Sequence, residues 1–271
     1  MPLRLDSITR RTDDSLITWI LQNGTQECNS AFATEDKKYI HIRRRITDSL
    51  SGNPIGQLVF TTRLNEEKKQ IEMLDIDITL DNDSSTAIRF LNRREGSTDA
   101  NEYYDVETVE DESHLVIETV NRHTLPQELV DTEREVSISM FPFRVSVYQN
   151  IEEFDREAGI KEPIRAGESD FFVHGFSEKF CMPGGMFDGK DGDDSYSFVI
   201  GKVHSFADVT VDFGPNKLPF VLAKVDTAAG VVPVAMGRDV FDLSNLTVGC
   251  IVAMDTVVKA DVAAPGAFDR N

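Results

Sequence analysis

The chain predicts a mainly β protein of the α+β class, built from two regions of different composition. Three observations carry that expectation. Apolar and polar residues alternate with a period of two from about residue 38 onward, and Gly, Asn, Asp and charged turns interrupt the alternation at short intervals. Glutamate is frequent up to Glu178 and absent after it, where Gly, Val, Ala and Asp take over.

Near the N-terminus, Asp13-Asp14-Ser15 precedes the apolar run Leu16, Ile17, Trp19, Ile20 and Leu21, and Asn23-Gly24 follows as a stop signal. A short helix is expected there, because the first residues can cap it and the last can end it; an extended segment is the alternative, because the run is so apolar. Leu74, Ile76, Ile78 and Leu80 then alternate with Asp75, Asp77 and Thr79, the pattern of a strand with one apolar face and one charged, solvated face. Weaker runs of the same kind cover Tyr39–Ile46, Gln57–Leu64, Thr86–Leu91, Tyr103–Val109 and Leu115–Val120, which together imply a largely antiparallel sheet. Thr124-Leu125-Pro126 ahead of Gln127–Val130 suggests a short helix entered through proline. Val136, Ile138 and Met140 shift phase to Phe143, Val145 and Val147 across Pro142; proline donates no ladder hydrogen bond, so a bulge or a crossing is expected there. Asn150, Glu153 and Gly159 bracket a helix containing Ile151, Phe154 and Ala158. Asp170–Phe176 reads as a buried strand.

These boundaries divide the chain into a β-rich α+β domain over 1–160, a connector and seam over 161–194, a barrel over 195–262 and a tail over 263–271. The barrel is inferred from five short β segments: Tyr196–His204, Ala207–Phe213, Pro219–Asp226, Val231–Met236 and Val248–Ala260. Their number, and the polar gap before the last, resemble an OB-fold, with Gly201-Lys202-Val203 in its first strand and Val248-Gly249-Cys250-Ile251-Val252 opening its last. The resemblance is to a superfold and implies a shape without an activity.

Composition limits the partners. A formal charge of -19 repels phosphate backbones and anionic head groups. The OB-like region itself carries five cations against seven anions between Phe198 and Val262, and neither Tyr nor Trp, so the basic, aromatic groove of a nucleic-acid-binding barrel is not expected. No leader-like or membrane-spanning apolar run is evident, and a cytoplasmic protein without a cofactor is expected. Cys28, Cys181 and Cys250 are odd in number and widely spaced, which fits neither a disulfide framework nor a zinc knuckle.

Four features are candidates for function. From Asp99 to Glu112 the chain has seven acids and no base, with Tyr103 and Tyr104 among them. Asp105, Glu107 and Glu110, edged by those tyrosines, would present an anionic face to a protein partner with a basic surface. Arg43-Arg44-Arg45 is the opposite feature, placed to pair with this acidic strand or with a separate anionic ligand. Asp188, Asp191 and Asp193, on a glycine-bent segment, are the most metal-like carboxylates, although their spacing departs from a calcium loop. His174 and Cys181 lie within the seam and form the one candidate pair for nucleophilic chemistry, with no evident third residue to orient the imidazole. The expected function is therefore a non-catalytic binding or assembly module, the alternative being a hydrolase-like enzyme whose site assembles at the seam.

Overall fold

Long β-branched and aromatic runs leave little of the chain free to be helical, and the protein is mainly β. The computed structural model describes residues 5–9, 14–23, 30–33, 39–65, 70–94, 102–121, 125, 128–158, 164–166, 169–171, 176–184 and 195–262. After a 3-10 turn at Leu5–Ser7 come helix α1 (Asp14–Asn23) and strands β1 (Ser30–Ala33), β2 (Tyr39–Thr47), β3 (Pro54–Asn65), β4 (Gln70–Leu80), β5 (Thr86–Arg93), β6 (Glu102–Thr108), β7 (His114–Thr119) and β8 (Glu133–Tyr148). Helix α2 (Ile151–Glu157) follows, then β9 (Ile164–Ala166), β10 (Ser169–Phe171), β11 (Phe180–Pro183), β12 (Ser197–Phe213), β13 (Asn216–Thr227), β14 (Gly230–Met236) and β15 (Ile251–Val262).

The centre of the molecule is an antiparallel ribbon of β8 and β15, paired from Tyr148↔Ile251 to Val136↔Val262. Two three-stranded meanders close on this ribbon. The first, β5-β6-β7, leaves β8 antiparallel at Thr86↔Val136 and lands parallel on β15 at Glu118↔Lys259. The second, β12-β13-β14, leaves β15 antiparallel at Ser197↔Thr256 and lands parallel on β8 at Val234↔Met140. Each meander with the ribbon makes a closed five-strand circuit of hydrogen bonds, and one continuous apolar core, from Phe90 and Tyr104 to Val225 and Val258, lines both. Closure removes most of the exposed strand edge that an open sheet would present.

The two circuits repeat each other's register. Phe90 N donates to Thr132 O and Asp131 N to Phe90 O at 2.9 and 2.8 Å; in the second circuit Val203 N donates to Cys250 O and Gly249 N to Val203 O at the same distances. Each first strand is bulged at the same point, between Phe90 and Asn92 and between Val203 and Ser205. Asp131 and Gly249 both have left-handed backbones, with φ of 62° and 89°. Thr108 and Thr227 both accept a turn amide on the side-chain oxygen, from Ser113 and Ala229. An approximate twofold therefore exchanges β8 with β15 and maps Met140 onto Val258, the residue it faces across the ribbon.

This topology revises the strand inventory of the last region. Residues 197–213 form one long bulged strand instead of two, because the ladder with β13 resumes directly after Val203. Its circuit holds only four strands from residues 195–262, and the fifth is β8, so hydrogen bonds cross the expected domain boundary. The phase shift at Pro142 is a bulge: Arg144 pairs with Asp255 and Pro142 with Thr256, leaving Phe143 as the extra residue. Of the helix expected over 127–130, residues 128–130 are described and are non-helical; of the strand expected over 170–176, residues 170 and 171 pair with β9, 176 is not in a strand, and 172–175 lie outside the described residues.

Strands β1–β4 form a separate antiparallel sheet whose apolar face, including Leu58, Phe60, Ile76 and Ile78, packs on Phe141, Val211 and Phe220 outside the second circuit. Asp48, in the β2–β3 turn, ties this sheet to β12: Thr210 N and Ser51 donate to its carboxylate. The Ser51 hydroxyl and these amides hold that carboxyl down at about 2.

Candidate functional site

The outward face of β11, β12, β15 and β8 is the floor of a cleft of about 460 Å³. Register aligns Met182, Phe198, Asp255 and Arg144 in one row across four adjacent strands, with Ala253 and Ser146 in the neighbouring row. Helix α2 makes the wall. Asn150 starts it by accepting from Glu153 N at 2.9 Å, while the Glu153 carboxylate accepts from Gln149 N, so the polar start signal in the sequence is a working cap. Ile151, Phe154 and Asp155 are the residues the helix buries.

Five aromatic residues stand among the described lining residues. Phe154 stands edge-on to Tyr148 and Phe176 at centroid distances of 5.2 and 5.6 Å, and Phe176 continues to Phe180 and Phe198 at 4.8 and 6.2 Å. Tyr196 lines the same space and meets Phe143 edge-on at 5.1 Å. The charged groups are Glu157 on the wall and the pair Arg144–Asp255 at 3.0 Å, in which Asp255 is 14% exposed and Arg144 77%. This arrangement can hold an apolar or cationic side chain. Residues expected in one line of sequence do not make it; the lining comes from five separated elements, and only outward-facing aromatics on strands whose alternate residues are core signal it.

The acidic strand is β6, and its two tyrosines have different fates. Tyr103 and, beside it, Asp105 and Glu107 lie on the outer face, half-buried, whereas Tyr104 points into the core, 2% exposed and edge-on to Phe90 at 5.1 Å. Tyr104 is thus a core residue and not a contact residue, because period-two alternation sends adjacent tyrosines to opposite faces. The acids are paired along the sheet: Arg94 with Asp105 at 2.8 Å, Arg93 with Glu102 at 2.9 Å, and Arg89 with Glu107 at 3.5 Å. Glu110 is exposed in the turn that follows. The arginine triplet is elsewhere. Arg43 holds Asp261 through two hydrogen bonds, and Arg44 lies 5.3 Å over the Trp19 ring.

Cys181 and Cys250 are buried free thiols, and burial pushes the Cys181 thiol up to about 12, so it is protonated near neutrality. His174, Asp188, Asp191 and Asp193 lie outside the described residues, as does Cys28. Among the described residues no group of three His, Cys, Asp or Glu side chains is placed to hold a metal ion.

The strongest electrostatic perturbation is remote from the cleft. The charged face of β4 is not solvated: Asp75 and Asp77 are both buried, and Asp77 accepts from the fully buried Lys259, which also donates to Glu118 at 2.5 Å. Burial alone would lower the Lys259 pKa, but the two carboxylates outweigh it and hold the ammonium above its ordinary range. Asp75 is pushed up to about 8, first by burial and then by the charge of Asp77, so it is the protonated member of the cluster at neutral pH. A single lysine inside the apolar run Val257-Val258-Lys259-Ala260 was the sequence signal for this site.

No family model, no curated protein and no solved structure matches the chain. No helix among the described residues is long and apolar enough to cross a membrane.

Proposed function

We propose that the protein is a non-catalytic binding or assembly module whose recognition site is the aromatic cleft beside α2, and whose partner is a protein with a basic surface. The single observation behind this reading is a separation: aromatic rings stand in the cleft lining, while the strongly shifted groups Asp48, Asp75, Cys181 and Lys259 all lie outside that lining. An enzyme site would be expected to bring shifted groups into its cleft. A recognition site uses large rigid rings to supply contact area and leaves polar groups at the rim.

The closed circuit of β12, β13, β14, β15 and β8 resembles an OB-like barrel completed by a strand from the first region, which makes it a scaffold for the cleft floor. The chain's charge of -19 favours a basic partner over nucleic acid. The exposed acids of the β6–β7 turn, Glu110 to Glu112, add to the long-range attraction, while the strand's own acids are largely neutralised by Arg89, Arg93 and Arg94.

The test is quantitative capture from native lysate by the wild-type protein and by Phe176→Ser and Phe198→Ser variants, whose rings are half-buried in the lining. A partner with a basic surface should be retained by the wild type, lost about tenfold or more with either variant, and released by salt, as hot-spot rings and screened charges require. A partner that binds the variants unchanged removes the cleft from the interface; chemical turnover of a cleft-bound small molecule overturns the non-catalytic reading.

A further inference from the structure

We infer that the buried cluster beneath β4 is a self-modification site, in which the Lys259 amine condenses with the Asp77 carboxyl and leaves an amide bond between the β1–β4 sheet and the central ribbon. Proximity is the first ground. Lys259 Nζ donates to Asp77 Oδ1 and, at 2.5 Å, to Glu118 Oε1, and none of the three side chains is more than 4% exposed. Glu118 is the register neighbour of Lys259 across the parallel seam, while Asp77 comes from the separate sheet, so the fold brings amine and carboxyl together from two directions. Groups held in contact in a sealed site react as if at very high concentration. The bond has to form only once per molecule, so a rate far below that of an ordinary enzyme suffices.

The cluster also holds the acid and the base that the reaction needs, since a carboxylate is a poor electrophile and an ammonium is no nucleophile. Asp75, 3% exposed, hydrogen-bonds to Asp77 and carries a proton near neutrality; its Oδ2 is buried without a hydrogen-bond partner, a cost that pairing within the cluster does not explain. Glu118 accepts from the resting ammonium and is placed to take its proton. In the balanced sequence one Nζ proton passes to Glu118 and the Asp75 proton passes to Asp77, giving a neutral amine against a neutral carboxyl. Nζ attacks Asp77 Cγ and returns a proton to Asp75, Glu118 gives its proton to the Cγ hydroxyl, and the C–O bond breaks to release water. An N–C bond replaces a C–O bond, and no oxidant or co-reactant is required. The amide N–H stays beside Glu118 and the amide oxygen beside Asp75, so both keep partners and a buried ion pair is gone. The ion cluster is the reactant state and governs stability until the bond closes; the closed bond joins residues 182 positions apart.

The experiment weighs the full chain by intact mass in denaturant, soon after purification and again after prolonged warming of the folded protein, and then maps linked peptides. The wild type should lose the mass of one water molecule and yield one branched peptide joining Asp77 to Lys259, whereas Lys259→Arg and Asp77→Ala should keep the full sequence mass. Glu118→Gln and Asp75→Asn preserve side-chain shape without a group that exchanges protons, and each should slow closure by about tenfold or more. If neither of these two folds by circular dichroism, the wild-type mass and peptide map decide. A wild type that keeps its full mass overturns the inference, and so does one that loses water without a branched peptide, as succinimide formation at an aspartate would do. A branch through Glu118 overturns the assignment of electrophile and base. Closure at the wild-type rate in folded Glu118→Gln or Asp75→Asn overturns that residue's part in proton transfer.

Discussion

The halves 86–148 and 197–262 share one hydrogen-bond register and almost no chemistry. In the first, the core positions are Ile88, Phe90, Tyr104, Leu115 and Ile117; their counterparts in the second are Gly201, Val203, Ala223, Val232 and Val234. The first half fills the shared interior with large side chains and the second with small ones, so one volume is packed from one side. Gly201 is held to its size, since a Cβ there would lie 2.5 Å from Val225. The outer faces diverge too. The first half pairs its surface acids with arginines on the next strand, and the second sets Phe198 beside Asp255. A backbone register thus tolerates very different side chains, provided the summed core volume and the inward apolar positions are kept.

The parallel seams give the sharpest contrast, and the largest expected effect. Glu118 and Lys259 on one seam occupy the places that Ala235 and Phe141 occupy on the other. Lys259→Met should destabilise the protein by about 3–5 kcal/mol, because it leaves Asp77 and Glu118 buried without their cation. Making the first seam resemble the second, with Lys259→Met, Glu118→Ala and Asp77→Leu together, should restore most of that loss. Denaturant midpoints for the single and triple variants decide it; a triple variant less stable than the single one would show that the charges hold the β4 sheet in place in a way that apolar packing does not.

A smaller effect comes from Asp75 in the same cluster. Its folded pKa of about 8 lies above the ordinary value near 4, so between these limits the folded protein binds the proton and the unfolded chain does not. Stability should therefore fall as pH rises from about 4 to about 8, by at most about 1.4 kcal/mol per unit from this group, and level off above. Asp75→Asn remains neutral throughout and should flatten the profile relative to wild type. Parallel urea profiles for the two proteins from pH 5 to 9 would refute the assignment.

The smallest effect concerns the paired left-handed positions. Gly249 adopts φ 89° freely, while Asp131 adopts φ 62° against a steric penalty. Asp131→Gly should raise stability by about 0.5–1 kcal/mol, read as a shift in thermal midpoint. A loss of stability would mean that the Asp131 side chain, and not the backbone, sustains the turn.

Local signals in the sequence anticipate local structure well. The α1 and α2 boundaries, the Asn150 cap, the alternating strand Leu74–Leu80 and the interruption at Pro142 all rest on the chemistry of neighbours in the chain, and each is present. The acidic strand is also present, but Tyr104 illustrates the limit: alternation places adjacent residues on opposite faces, and only packing decides which face is the core. The cleft was harder to anticipate, since Tyr148, Phe154, Phe176 and Phe198 are assembled by the pairing of distant strands and the docking of a short helix.

By itself the sequence determined a mainly β chain, the positions of several of its turns and caps, and a net charge of -19, because each depends on residue type or on spacings of a few residues. Tertiary structure alone decided that β8 completes the second circuit, that the two halves share one register, that Asp75 and Asp77 lie beneath Lys259 and not in water, and that the rings of the cleft meet. The physical reason is range. A strand's hydrogen-bonding edge accepts any partner of suitable geometry, so pairing is selected by the side chains that must share one core, and those lie more than a hundred residues apart.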